Sequence, residues 1–116
     1  MLTALWPYAH VADVQRSVGW YGRLGLEVWN THEVDGRLVW AFVGLGSAGI
    51  MLALASGPVD REQQAVLFYG WTKDVAALRA EVGGEITRPF YMPAGELRLE
   101  DPDGYVVLVG QLEEAS

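Results

Sequence analysis

The chain has 116 residues, 51% of them hydrophobic and 20% charged, which supports one domain with a real core and excludes a disordered chain. It contains no cysteine, which excludes disulfides, thiolate metal sites and a cysteine nucleophile. Its 8 basic and 15 acidic residues give a net charge of −7, so it lacks the basic surface that nucleic-acid binding requires.

The first half of the chain predicts a strand, a helix and three further strands. Residues 3–11 have the composition of a strand, and Asp13 has the position of a helix N-cap. Apolar side chains then recur at helical spacing until Gly25, at Val14, Val18, Tyr21 and Leu24. Three strands are predicted after the helix, at residues 26–34, 37–43 and 50–55. The first two are joined by Asp35-Gly36, a two-residue hairpin signal that pairs His32 with Val39.

The second half repeats this order about 60 residues later, and a repeat of this kind changes the fold prediction. Asp74 is a second N-cap, and strands are predicted at residues 66–72, 85–88, 97–100 and 105–109. The expected fold is therefore α+β, with two βαβββ modules, 1–57 and 65–112, in a single domain. Residues 58–64 are the predicted linker between the modules.

The last two strands allow a closer prediction. Asp101-Pro102-Asp103-Gly104 suits a type I turn followed by a bulge at the glycine. That turn pairs Leu99 with Val107 and Arg98 with Leu108. Because side chains alternate along a strand, Arg98, Glu100, Val106 and Leu108 should share one face, and the other should pack on a helix.

Three segments carry a resemblance to a known family: HVADVQRSVGWYGRLGLEV (10–28), IMLALASGP (50–58) and LRLEDPDGYVVLV (97–109). With the weaker KDVAALRAEV (73–82), the chain resembles the vicinal oxygen chelate superfamily, the glyoxalase, bleomycin-resistance and extradiol-dioxygenase group. This resemblance implies two βαβββ modules whose sheets curl around one cavity.

The resemblance also implies where the metal ligands of the superfamily's enzymes would fall. Those positions are occupied here by Trp6, Met51, Leu67 and Leu108, and none of these side chains suits a hard divalent cation. We therefore expect no tightly bound metal and no cofactor. The chain then resembles the metal-free branch, typified by dimeric proteins that sequester an antibiotic such as bleomycin. If a metal were present, His10, His32 and Glu100 would be the residues to suspect as ligands.

Candidate ligand-binding residues follow from alternation along the two strands that open the modules. The first strand would face the groove with Trp6, Tyr8 and His10, and the fifth with Leu67, Tyr69 and Trp71. The full set of expected ligand-binding residues is Trp6, Tyr8, His10, His32, Met51, Tyr69, Trp71, Tyr91, Arg98 and Leu108. The alternative is that the aromatic rings only fill the interior of the fold, and that Arg98 only pairs with Glu100.

Three functions remain open from the sequence. The first is a protein that binds a small, aromatic or antibiotic-like molecule, as a homodimer. The second is an enzyme of the lyase, isomerase or dioxygenase type, either cofactor-independent, with His10 as general base and Arg98 stabilising negative charge, or with an atypical metal site. The third is a dimeric interaction module without a ligand. No apolar run is long enough to span a membrane and no secretory signal opens the chain, so a cytoplasmic protein is expected.

Overall fold

In the computed structural model, which describes residues 1–112, the chain divides into two units, Met1–Asp60 and Arg61–Ser116. The boundary falls inside the predicted linker 58–64, part of which forms a short 3-10 turn, Arg61–Gln63. The two units correspond to the two predicted βαβββ repeats and are the first and second modules. None of the helices in the described residues is long and apolar enough to cross a membrane.

The first module has one helix and a four-stranded sheet. Its elements are β1 (Tyr8–Val11), α1 (Val14–Gly22), β2 (Glu27–Val34), β3 (Arg37–Leu45) and β4 (Ala48–Leu54). The strand order is β1-β4-β3-β2, with β1 parallel to β4 and the other neighbours antiparallel. The first strand is shorter than the predicted 3–11, because regular pairing with β4 begins at Tyr8. Pro7 has no N–H to donate and contributes only its carbonyl, which accepts a hydrogen bond from the Met51 N–H at 2.9 Å.

The second module repeats this topology. Its elements are β5 (Val66–Thr72), α2 (Val75–Val82), β6 (Glu85–Thr87), β7 (Glu96–Glu100) and β8 (Val106–Gln111). The strand order is β5-β8-β7-β6, with β5 parallel to β8. The predicted α+β class and the βαβββ repeat are therefore confirmed. Both four-stranded sheets are open.

Both helices begin at the predicted aspartates. The Asp13 carboxylate accepts a hydrogen bond from the Arg16 N–H at 3.0 Å, and the Asp74 carboxylate accepts one from the Ala77 N–H at 3.0 Å. Each bond satisfies one of the N–H groups that have no partner within the first turn of a helix. In both modules the helix therefore begins directly after an aspartate that follows the first strand.

Removing the second cap should destabilise the protein measurably. We expect Asp74→Ala to lower the free energy of unfolding by about 1 kcal/mol, because the Ala77 N–H loses its acceptor. Asp74→Ser should lose less, since a serine hydroxyl also caps. Urea denaturation followed by circular dichroism measures both variants. Equal stability of Asp74→Ala and wild type would show that the cap contributes nothing.

One face of each sheet packs on the helix of its own module. In the first module this face carries side chains with at most 2% of their surface exposed: Ala9, Val11, Ala41, Val43, Ile50 and Leu52. In the second module Leu97, Leu99, Val107 and Val109 form the corresponding buried face, as their alternation predicted. The opposite surface, the helix-free face of each module, carries the candidate binding residues that lie on strands.

The two predicted hairpins have different outcomes. Around residues 101–104 the pairs Leu99–Val107 and Arg98–Leu108 are confirmed, and Gly104 has φ of +90° as the bulge requires. In the β2–β3 hairpin the predicted pairing is wrong, because His32 lies opposite Trp40 rather than Val39. Irregularities at Trp29 and Val39 shift the register, and a two-residue turn alone does not reveal them.

Candidate ligand-binding site

The helix-free face of the first module brings together four of the predicted binding residues. Paired residues in adjacent strands point to the same side of a sheet, so the register defines two rows across this face. One row runs through Tyr8, Met51, Phe42 and Asn30, and the other through His10, Ala53, Trp40 and His32. The predicted residues Tyr8, His10, His32 and Met51 therefore share one face.

Phe42 is the centre of an aromatic cluster on this face. Its ring centroid lies 5.3 Å from Trp6 and 5.1 Å from Trp29, both in edge-to-face geometry, and 6.3 Å from Trp40. Edge-to-face pairs stabilise one another beyond simple burial and hold the rings in fixed orientations. Trp6, Trp29, Trp40 and Phe42 are called the Phe42 cluster.

Trp29 reaches this cluster through a gap provided by two glycines. A Cβ on Gly44 would lie 2.2 Å from the Trp29 ring, and one on Gly49 would lie 2.7 Å from it. Only Gly46, with φ of +63°, makes the turn, whereas Gly44 and Gly49 are paired within β3 and β4 and leave room for the indole.

The rings of this face are only partly covered by the module itself. Trp6 is 39% exposed, Trp29 is 40% exposed and Tyr8 is 55% exposed. The Tyr8 ring also contacts His10, with ring centroids 5.3 Å apart. Side chains that only fill a core are normally almost fully buried. This face therefore offers flat apolar surface on a rigid sheet.

On the helix-free face of the second module, register places Tyr69 beside Leu108 and Arg98, and Trp71 beside Gly110 and Glu96. Leu67 lies at an irregularity between β5 and β8 and has no regular partner there. Tyr69 and Trp71 are in contact, with ring centroids 5.1 Å apart. The predicted residues Tyr69, Trp71, Arg98 and Leu108 thus belong to one face of this module.

A buried carboxylate that the sequence did not single out organises this second face. Glu96 is 6% exposed, and its two carboxylate oxygens accept hydrogen bonds from the Tyr69 hydroxyl at 2.9 Å and the Tyr91 hydroxyl at 3.0 Å. Burial, and then the hydrogen bond to Glu96, raises the pKa of Tyr69 to about 12. The hydrogen bond to Glu96 also raises the pKa of Tyr91. Glu96 falls just outside the predicted strand 97–100, although its alternation with Arg98 could have placed it on that strand.

The raised pKa of Tyr69 makes stability depend on pH in the alkaline range. A tyrosine in the unfolded chain loses its proton near pH 10, whereas the folded Tyr69 keeps it to about pH 12. Stability should therefore fall as pH rises from about 10 towards 12, because only the unfolded state has released that proton. Absorbance titration at the phenolate band, wild type minus Tyr69→Phe, measures this ionisation directly. A difference curve centred at about pH 10 would contradict the assignment.

The alternative, in which Arg98 only pairs with Glu100, does not occur. Glu100 instead pairs with Arg61, with a nitrogen-to-oxygen distance of 3.3 Å. Within residues 1–112 Arg98 forms no ion pair, and its side chain is exposed. Its guanidinium is therefore accessible to an external anionic or polar group.

The metal site of the superfamily's enzymes does not fit these residues. Trp6, Met51, Leu67 and Leu108 present an indole, a thioether and two isobutyl groups, none of which ligates a hard divalent cation. Among the described residues there is also no group of three or more histidine, aspartate or glutamate side chains close enough to hold a metal ion. No step of a metal-dependent reaction can be derived from this set of side chains.

No family model matches the sequence, and the comparison with curated proteins also gives no match. Solved structures are similar over nearly the whole chain. One is a glyoxalase-related enzyme from Clostridium phytofermentans, with a TM-score of 0.73, 16% identity and 97% of each chain covered. Another is TnmS3, an antibiotic-binding protein from Streptomyces sp. CB03234, with a TM-score of 0.69, 18% identity, and 97% of this chain and 99% of that chain covered.

A bleomycin-binding protein in complex with bleomycin is similar as well, with a TM-score of 0.64 and 18% identity. The match covers 97% of this chain and 100% of that protein. At these identities the likeness concerns the fold, and it agrees with the repeat, the strand order and the paired helix caps described above. The chain therefore has the fold of the vicinal oxygen chelate superfamily, shared by glyoxalase-related and bleomycin-binding proteins.

Proposed function

We propose that the protein binds a small, flat aromatic molecule without a metal ion, and that the helix-free face of the first module is a main contact surface. The observation that carries this proposal is the Phe42 cluster, whose rings are fixed by one another and yet remain partly exposed. Exposed aromatic side chains that cluster on a rigid element favour recognition of apolar ligands.

The chemistry of this face suits stacking better than catalysis. The two rows that cross this face carry few polar side chains, namely His10, His32 and Asn30, which lie beside aromatic rings. The register adds Glu27, which is paired with Gly44. Aromatic side chains supply large contact areas while losing little conformational entropy, because each has only two rotatable bonds. A net charge of −7 also favours ligands that carry positive charge. Together these features support a flat ligand, neutral or cationic.

The similar structures favour an antibiotic as the ligand class. Two of the proteins described above bind bleomycin or another antibiotic. The remaining predicted contacts, Tyr69, Trp71, Tyr91, Arg98 and Leu108, belong to the second module, and their membership of the same ligand site stays a prediction.

Titration of tryptophan fluorescence in a chelating buffer tests the proposal, with bleomycin and a panel of planar aromatic antibiotics as probes. Trp6→Ala should weaken the binding of any ligand found by about 1–3 kcal/mol, whereas Trp6→Phe should cost less because a flat ring remains. Trp20→Phe is a suitable control, because Trp20 lies on α1 and contacts Tyr21 rather than the cluster. A panel in which no compound binds would count against the proposal and favour an interaction module.

The enzyme hypothesis predicts that the bound ligand is chemically converted. A reaction that used His10 and Arg98, or an atypical metal held by His10, His32 or Glu100, would convert the bound ligand. Mass spectrometry of the ligand recovered after incubation with the protein, with and without added Zn²⁺, Mn²⁺ or Fe²⁺, detects such conversion. We expect the ligand to be recovered unchanged.

We also propose that the protein is a cytoplasmic homodimer. The edge strand β2 is exposed at all eight of its positions, and an exposed strand edge is a surface to which another chain can pair. We expect sedimentation equilibrium at micromolar concentration to give twice the monomer mass. A monomer at that concentration would contradict the dimer and leave the binding proposal standing.

A further inference from the structure

The second module contains a pocket whose lining residues include no member of the Phe42 cluster. The pocket has a volume of about 260 Å³ and is lined by Trp71, Tyr91, Met92, Pro93 and Gln111. Trp71 is at the end of β5, Gln111 is at the end of β8, and the other three residues precede β7. All of the lining residues belong to the second module, so the properties of the pocket can be derived from that module alone.

Trp71, Tyr91, Met92 and Pro93 form aromatic and apolar walls of the pocket, and the side-chain amide of Gln111 forms a polar one. Trp71 is 61% exposed and Tyr91 is 54% exposed, so both rings have surface that a ligand can reach. A Cβ on Gly110 would lie 2.7 Å from the Tyr69 hydroxyl, 2.9 Å from Met92 Cε and 3.0 Å from the Trp71 ring. Tyr69, Met92 and Trp71 therefore pack together over Gly110, where any larger residue would collide with them.

A buried negative charge lies behind these walls. Both oxygens of Glu96 are occupied by the hydroxyls of Tyr69 and Tyr91, and over residues 1–112 no basic side chain pairs with this carboxylate. A buried carboxylate without a cationic partner attracts positive charge into its surroundings. Donation of the Tyr91 hydroxyl to a carboxylate also polarises the phenol and makes its ring face more negative. Tyr91 thus lines the pocket with its ring and, through its hydroxyl, donates a hydrogen bond to the charged Glu96 carboxylate.

We propose that this pocket binds an organic ammonium group, either as a free small cation or as one end of a larger ligand. Cations of this kind are attracted to the faces of tryptophan and tyrosine and tolerate apolar surroundings. A thioether such as that of Met92 adapts to the alkyl substituents that surround the nitrogen. An anion would be repelled by Glu96, and a bare metal ion would lack ligands, because the described residues hold no group of three or more histidine, aspartate or glutamate side chains that could bind it.

Ligand-observed NMR on the whole protein tests the charge requirement with two probes of the same shape. Choline carries the positive charge, and 3,3-dimethylbutan-1-ol is its neutral carbon analogue. We expect choline to bind about tenfold more tightly, which is the difference that one cation–π contact with partial desolvation can produce. In a separate spectrum of the protein, the Met92 methyl resonance should shift on addition of choline. Equal affinity for the two probes, or no binding of choline, would overturn the proposal.

Three variants locate the effect. Trp71→Ala should abolish detectable choline binding, and Glu96→Gln should reduce the preference for choline over the neutral probe to about twofold, since the shape of the side chain remains while its charge is lost. Glu85→Gln removes the same charge from an exposed position on β6 and should leave the preference unchanged. If Glu96→Gln does not fold, Tyr91→Phe replaces it, because it removes only the hydroxyl that links ring and carboxylate. Full preference for choline in Glu96→Gln or Tyr91→Phe, or unchanged binding in Trp71→Ala, would overturn the assignment.

Ammonium binding by the second module and aromatic-ligand binding by the first module can be tested independently. The choline experiment uses no aromatic ligand, and its variants change only residues of the second module. A protein that binds choline but none of the planar antibiotics would retain the ammonium pocket and lose the proposed function. A protein that binds a planar antibiotic through Trp6 but does not distinguish the two probes would give the opposite outcome.

Discussion

Trp29→Ala is expected to weaken the binding of a flat aromatic ligand by about 1–3 kcal/mol, or roughly 5- to 150-fold in affinity. The indole of Trp29 contacts Phe42 edge-on and covers Gly44 and Gly49, so its loss removes a ring from the cluster and exposes a gap beneath it. Because Trp29 is 40% exposed, stability should change much less than for a core aromatic. Calorimetric titration of the ligand, together with urea denaturation of the same samples, measures both effects.

Gly44→Ala provides a matched test of the same contact. Its methyl group would collide with the Trp29 ring, so the ring must move away from the face while every side chain of the cluster is still present. We expect Gly44→Ala to weaken ligand binding almost as much as Trp29→Ala, and to have little further effect when both changes are combined. If Trp29→Ala unfolds the protein, or if neither variant alters ligand binding, Trp29 is a structural residue rather than a contact residue.

Asp101→Ala is expected to have the largest effect on stability, a loss of about 2–5 kcal/mol. The Asp101 carboxylate is 1% exposed and accepts hydrogen bonds from the N–H groups of Asp103 and Tyr105, both at 2.9 Å. Alanine would leave two backbone donors at the turn without this acceptor. Since the turn sets the register of β7 and β8, its loss should also displace the face that carries Arg98 and Glu96. Thermal and urea denaturation quantify the change.

Asp101→Asn separates the hydrogen bonds from the charge. Its amide oxygen can still accept from Asp103 and Tyr105, so we expect this variant to lose clearly less stability than Asp101→Ala. If the two variants are destabilised equally, the negative charge of Asp101 rather than its acceptor geometry holds the turn. An Asp101→Ala protein as stable as wild type would contradict the account of this hairpin.

The features that sequence predicted well depend on local chemistry. Asp13 and Asp74 are short acceptors directly before an apolar helical pattern, and Asp101 to Gly104 form a turn whose dihedral angles few other sequences satisfy. Their separation along the chain revealed the repeat, and the repeat revealed the fold. Alternation then placed most candidate binding residues on the helix-free faces correctly.

Features that depend on contacts between distant residues were not predictable. Trp29 occupies an irregularity in β2, and only the register with β3 shows that its ring lies over Gly44. Likewise, Glu96 was left outside the predicted strand 97–100, because the hydroxyls of Tyr69 and Tyr91 that justify burying its charge come from other parts of the chain. A buried carboxylate is stable only with such partners, and neither composition nor periodicity reveals them.

Whether the protein binds a flat aromatic ligand without a metal ion can be decided by one calorimetric titration. Wild-type protein is titrated with the tightest compound of the antibiotic panel, in buffer with and without a strong chelator, and the ligand is then recovered and its mass determined. We expect the same affinity in both buffers and an unchanged ligand, because Trp6, Met51, Leu67 and Leu108 provide no metal ligands. Binding that disappears with the chelator, or a ligand that has been converted, would contradict this expectation.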